Sequence, residues 1–199
     1  MLRRTVPSAG APVATETLPS GKAGAMGSVQ ISKTEMLKRV ARFKELQPSK
    51  KAFVDSLIPG HEREIFNVIG RGVTEDTSLS PAITDARDFN VTLVRAEPGK
   101  GAALHAHPTV EVFIPLKSRF GVYWGDQGEE EIDLEPWDTI SVPPGVMRGF
   151  RNAGAEGGVL LAILGGTDAG HVAWAQQVLD AAKQTGLALD AQGNLVSRM

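Results

Sequence analysis

The chain has 199 residues, of which 42% are hydrophobic and 22% charged, with a net charge of -2. That is the make-up of one globular domain with extensions, and it gives no electrostatic case for nucleic acid or an anionic membrane as partner. The absence of cysteine excludes disulfides, thiolate metal sites and a cysteine nucleophile. It also suits a reducing, cytoplasmic setting.

Residues 1–30 carry Arg3, Arg4 and Lys22 against a single acid, Glu16, with no apolar core of signal-peptide type. Their Pro and Gly content argues against an amphipathic transit helix, and a disordered tail is the expectation. Residues 31–60 read as a helical extension. Ser32 and Glu35 stand at capping-box spacing, Met36, Leu37, Val40, Phe43 and Leu46 form a one-sided stripe, and Pro48 ends it. A second helical piece, KKAFVDSLI, stops at Pro59-Gly60.

From about residue 61 to 170 the texture changes. Short runs rich in Val, Ile and Phe, from EIFNVIG through AALHAH, VEVFIPL and MRGFRN to VLLAIL, alternate with Gly, Pro, Asp and Asn clusters. Such punctuation predicts short antiparallel strands in a barrel or sandwich. In the acidic run GEEEIDLE, Ile132 and Leu134 are expected inward. The chain closes, over 171–199, with a helix in HVAWAQQVLDAAKQTG and a tail; Gly186 is the expected C-cap. No apolar run is long enough to span a bilayer.

The stretch GKGAALHAHPTVE carries two of the four histidines. Alternation along a strand turns His105 and His107 to one face, and Glu111 shares a face with Phe113. With a turn at Pro108-Thr109, antiparallel neighbours bring the three together. Two imidazoles and a carboxylate fill one face of an octahedral ion and leave positions for water, oxygen or substrate. In MRGFRN, Arg148, Phe150 and Asn152 share a face, and Phe150 marks it as the core face. Three arrangements of Arg148 stay open: an ion pair with Glu111 in place of metal, a clamp on an anionic substrate beside a three-ligand metal, or a pair with Asp138 at the barrel mouth. His61 and His171 lie on flanking segments. Tyr123, Trp124 and Trp137 are candidates for a pocket wall, though packing is the commoner fate of such residues.

These motifs resemble the cupins. The cupin first motif runs Gly, five residues, His-X-His, three or four residues, Glu, six residues, Gly. Here Gly99, His105, His107 and Glu111 match, and Ser118 stands at the closing glycine. The second motif appears with Pro143, Gly145 and Asn152 in place, Trp137 for its first glycine and Arg148 for its histidine. The resemblance covers about residues 90–165. It implies an all-β-dominated fold, an antiparallel double-stranded β-helix (jelly roll), with flanking N-terminal and C-terminal α-helices. It implies metal ligation by His105, His107 and Glu111 without the usual fourth ligand, since guanidinium has no free lone pair. The ion expected is divalent, Fe(II) first, with Mn, Ni or Zn as alternatives. The activity expected is that of a non-haem Fe(II) dioxygenase on a small organic acid or polar aromatic. A redox-neutral isomerase or lyase, and a metal-free ligand-binding protein, are the alternatives. A homodimer that covers a sheet edge is the expected assembly.

Overall fold

The computed structural model describes residues 28–85 and 87–197. The expectation for the tail over residues 1–27 lies outside the described residues. The chain divides at Ser32, and among the described residues every helix and strand belongs to the unit from Lys33 onward.

Twelve strands are described: β1 Glu64–Ile69, β2 Phe89–Ala96, β3 Gly101–Ala106, β4 Glu111–Lys117, β5 Phe120–Trp124, β6 Glu130–Leu134, β7 Ile140–Val142, β8 Arg148–Asn152, β9 Gly158–Gly165, β10 Ala173–Trp174, β11 Leu187–Leu189 and β12 Leu195–Ser197. The first ten form two five-stranded sheets, ordered β1-β2-β9-β4-β7 and β10-β3-β8-β5-β6. The pairings are antiparallel throughout. Successive strands repeatedly change sheet, which makes the double-stranded β-helix. Phe113, Phe120, Val122, Leu160 and Phe150 are buried between the sheets.

β9 explains why one sheet has a fixed centre. GVLLAILG is apolar at every position between its glycines, with Leu160, Ala162 and Leu164 buried and Val159, Leu161 and Ile163 half-buried. Only a strand paired on both sides suits that sequence, and β9 lies between β2 and β4. β1 is the edge strand of this sheet. Its outer side is partly covered within the chain, because Ser49 and Ile65 exchange both backbone hydrogen bonds, each 2.9 Å.

The flanking elements differ from expectation. The N-terminal extension is not a long helix: α1 spans Lys33–Leu37 only, and a single 3-10 turn follows at Phe43–Glu45. Met36, Leu37, Val40 and Phe43 are exposed, and of these Phe43 alone makes a ring contact, with Phe66 at 5.1 Å, so most of the stripe has no core to bury against. A helix this short depends on such packing. Residues 51–60 form turns, yet Phe53, Val54, Asp55 and Ser56 are buried. At the other end the barrel continues past residue 170, where the sequence places its end, since β10 joins β3. The helix is shorter than HVAWAQQVLDAAKQTG: α2 spans Gln176–Gln184, and Gly186 follows with φ +79°. The hairpin β11–β12 replaces the expected tail. In edge strand β6, Leu134 is buried but Ile132 is exposed.

The two positions where the resemblance expects glycine keep glycine's backbone. Ser118 has φ +67° and Trp137 φ +77°. Left-handed backbone costs an L-residue about 1–2 kcal/mol. Trp137 is 74% exposed, so packing offsets little of that cost. Trp137→Gly is therefore expected to stabilise the protein by about 0.5–1 kcal/mol, after the larger unfolded-state entropy of glycine. It reads as a higher urea midpoint at unchanged slope. Trp137→Ala keeps the Cβ and should gain nothing; an equal gain in both variants contradicts the account.

Glu75 is a buried acid outside the barrel's histidine cluster whose charge the fold tolerates poorly. It accepts hydrogen bonds from the Val54 N–H at 2.6 Å and the Trp174 Nε1–H at 2.6 Å. Burial nevertheless pushes its carboxyl up to about 7 from 4.5. The folded chain then holds a proton that the unfolded chain has released. Glu75 thus costs nothing below about pH 4.5, and stability is lost as pH rises through about 7, by about 3 kcal/mol in full. Glu75→Gln removes this dependence. Between about pH 5 and 8 its unfolding free energy should gain most of that amount relative to wild type; parallel curves contradict the assignment.

Candidate metal centre

His105 lies in β3, His107 follows that strand's end, and Glu111 opens β4. These strands are not the paired neighbours that the sequence led us to expect. β3 belongs to one sheet and β4 to the other. The chain crosses between sheets at residues 108–110, so the histidines and the glutamate meet across the barrel interior. All three are buried, and one ligand atom from each lies within 4.8 Å of the others.

Their protonation suits a cation. Burial, then the Arg148 cation, holds His105 well below the ordinary imidazole range. Burial, then the neighbouring His105, does the same for His107. Both rings are neutral and offer a lone pair. His105 Nδ1 stands 2.6 Å from the Ala103 carbonyl. That oxygen only accepts, so Nδ1 carries the proton and Nε2 is the free donor atom, the arrangement expected of a ligating histidine. His107 Nδ1 is buried with no hydrogen-bond partner, and its Nε2 lies 3.5 Å from Glu111 Oε2. An orphaned imidazole nitrogen is costly in this setting.

Arg148 makes the ion pair with Glu111 of the first open arrangement, but on one carboxylate oxygen only, so the pair does not by itself take the place of a metal. Arg148 is fully buried. Its Nε and Nη2 donate to Glu111 Oε2 at 3.0 and 2.8 Å, and its Nη1 donates to the Val146 carbonyl at 3.1 Å. Asp138 is engaged elsewhere, accepting from the Glu135 N–H at 2.9 Å. Arg148 does not line the cavity, so these contacts do not make it a clamp on substrate. Both of its bonds to Glu111 fall on one oxygen, which leaves Oε1 outside the pair. Burial pushes the Glu111 carboxyl above its ordinary range while Arg148 pulls the other way. The neutral imidazoles, the orphaned nitrogen and the unshared carboxylate oxygen fit a divalent ion.

A cavity of about 40 Å³ opens beside these groups. Its wall is mostly apolar, with Phe113, Phe150, Leu164 and Trp174 among its residues. The Trp174 ring packs on His105, with centroids 5.2 Å apart. Sequence reading missed Trp174 because it sits in the segment HVAWAQQVLDAAKQTG, which reads as helix. The local signal was weak: of the two residues of β10, only Trp174 favours a strand. Tyr123, Trp124 and Trp137 do not line the cavity. His61 is half-buried, His171 is exposed, and neither joins the group.

Comparison with known proteins agrees with this geometry. The cupin domain family matches residues 92–164. No curated protein matches the chain. Among solved structures, the polyketide cyclase RemF from Streptomyces resistomycificus aligns with TM-score 0.54 at 16% identity, over 73% of this chain and 91% of that one. A cupin 2 domain-containing protein from Halorhodospira halophila aligns with TM-score 0.47 at 19% identity, over 61% and 77%. A double-stranded β-helix protein from Klebsiella pneumoniae aligns with TM-score 0.40 at 23% identity, over 44% and 76%. At 16% identity the likeness to the cyclase speaks for the fold alone. With two partly matching motifs, a ten-stranded double-stranded β-helix and the family match over its central strands, residues 92–164 read as a cupin domain.

Proposed function

We propose that this protein is a metal-dependent enzyme that acts on a small anionic substrate, with the reaction of a non-haem Fe(II) dioxygenase. The observation that carries the proposal is the set of three buried donors, His105, His107 and Glu111, within 4.8 Å of one another. Two histidines and one carboxylate with open positions are the donor set typical of non-haem iron oxygenases. Bound there, Fe(II) would supply Lewis acidity and redox capacity toward oxygen.

The chain's own residues do the rest. Glu111 and Arg148 cancel in charge and the imidazoles are neutral, so the charge of a divalent ion stays uncompensated by protein. An anionic ligand restores the balance. The apolar wall excludes water, and the cavity's size restricts the substrate to a small molecule unless the wall moves. Among the described lining residues, the titratable groups are the three donors and Arg63, which is tied to Asp55 at 2.9 Å. Since the lining offers no further acid or base, we favour oxygen chemistry over the isomerase or lyase alternative, whose proton shuttle would have to be water on the ion.

Protein purified without added metal and then loaded with Fe(II) is expected to hold about one ion per chain. It should consume oxygen with at least one member of a panel of small keto acids, diketones and phenols. Metal uptake no better than that of a His105→Ala/His107→Ala variant would sink the enzyme reading. Stoichiometric iron without oxygen uptake would remove the dioxygenase assignment and leave the redox-neutral one. Arg148 gives a second test. Arg148→Met strands a buried carboxylate and should destabilise metal-free protein by about 3–5 kcal/mol. Saturating Mn(II) should then raise the melting temperature more in this variant than in wild type, because the ion takes over the neutralisation. An equal rise in both would contradict a shared carboxylate.

A further inference from the structure

β3 does not run straight through to the metal centre. Its pairing with β8 is regular at Gly101–Arg151 and Ala102–Phe150, then slips before His105–Arg148. Ala103 and Leu104 together stand opposite Gly149, which is a β-bulge. The bulge decides which way His105 faces. Ala102 and His105 both line the cavity, yet residues three apart on a regular strand point to opposite faces. Without the extra residue, a barrel that kept Ala102 inside would turn His105 out.

The Ala103 side of the bulge, and the strand before it, are held from residues 55–63, while the Tyr123 hydroxyl donates to the Ala102 carbonyl at 2.6 Å. The Ala103 N–H donates to Asp55 Oδ2 at 2.9 Å. Arg63 forks onto the same carboxylate, Nη1 to Oδ2 at 3.0 Å and Nη2 to Oδ1 at 2.9 Å. Nη1 also reaches the Gly101 carbonyl at 3.1 Å, and the Gly101 N–H donates to the Gly60 carbonyl at 3.1 Å. β10 pairs with this strand at His105 and Ala106, and the Ala175 N–H just after it donates to the Leu104 carbonyl at 3.1 Å; from Ala103 back to Gly101, Asp55 and Arg63 serve as the neighbour. Gly101 itself is pressed on β8, where an added Cβ would lie 1.8 Å from the Phe150 carbonyl oxygen. The carbonyl of the same Ala103 takes the His105 Nδ1–H at 2.6 Å. One residue therefore links the buried ion pair to the imidazole.

We propose that Asp55 and Arg63 are positioning residues for the metal centre: they hold the β3 bulge, and the Ala103 residue they fix sets the His105 tautomer that turns Nε2 to the cavity. The pair is buried on both sides. Well-packed apolar residues commonly serve stability as well as such a pair does, whereas charge with fork geometry fixes orientation. The link to metal rests on His105 being a ligand; the link to the tautomer does not.

The test uses the full chain, metal-free and with nitrogen-15 in its histidines. Long-range proton–nitrogen spectra of wild type should show His105 as the single Nδ1–H tautomer. Asp55→Asn should give a tautomer mixture and weaken Mn(II) binding about tenfold. Arg63→Lys, which keeps the charge and loses the fork, should do the same to a smaller degree, and it carries the test where Asp55→Asn does not fold. Val122→Ala, a core truncation away from the cavity, should lose stability while wild-type tautomer and affinity persist. An Nε2–H tautomer in wild type overturns the proposal. So do folded Asp55→Asn or Arg63→Lys variants with wild-type tautomer and affinity. If wild type binds no Mn(II) or Fe(II), the enzyme reading fails, and the tautomer comparison still decides this one.

Discussion

A carboxylate sealed inside a barrel beside two neutral imidazoles needs a counter-charge, and Arg148 supplies it from behind. The cost of an unpaired buried carboxylate is several kcal/mol, enough to consume much of a small domain's stability. The Glu111–Arg148 bond at 2.8 Å lets the site exist before any ion arrives. It does so at one oxygen only. The same contact therefore makes a three-donor site tolerable in metal-free protein and leaves a donor for the ion. It also fixes the electrostatics of the loaded site, because the protein's own charges already cancel. On the proposed function, that cancellation is what would favour an anionic ligand.

The barrel places these groups through alternation and a departure from it. In β4, Glu111, Phe113 and Pro115 are buried while Val112, Ile114 and Leu116 are half-buried. In β8, Arg148, Phe150 and Asn152 point inward together, as strict alternation requires. β3 breaks the rule, and it does so where the histidines begin. Bulges near functional sites re-aim side chains, and here the re-aimed residue is a candidate ligand. Asn152 shows a related economy at the far end of β8. Its amide donates to the Ala96 and Glu156 carbonyls at 2.9 and 2.7 Å and accepts from Ser118 Oγ at 2.9 Å. Strand ends on both sheets are thereby tied together around one side chain.

The fold was largely legible because short β-rich runs between Gly and Pro turns need no tertiary knowledge. His105, His107 and Glu111 were legible because period-two alternation and a motif spacing coincide. The inward direction of Arg148 was legible from Phe150, but not its partner, which comes from the opposite sheet. The N-terminal helix was overread: the spacing of Met36, Leu37, Val40 and Phe43 is helical, but a stripe makes a helix only against a surface that receives it. Trp174 and Asp55 were missed for a common reason. Each acts through a contact far along the chain, with His105 and with Ala103, and no local pattern encodes either. The bulge was invisible because AALHAH alternates well enough as a regular strand.

The central claim is that Glu111 serves an arginine and a metal ion at once. A crystal of Mn(II)-loaded protein, measured for anomalous scattering at the manganese edge, tests it most directly. The account predicts one peak within about 2.0–2.3 Å of an imidazole nitrogen of each of His105 and His107 and of Glu111 Oε1, with Arg148 still on Oε2. A crystal with no peak there, or one in which the ion displaces Arg148 from Glu111, would contradict it.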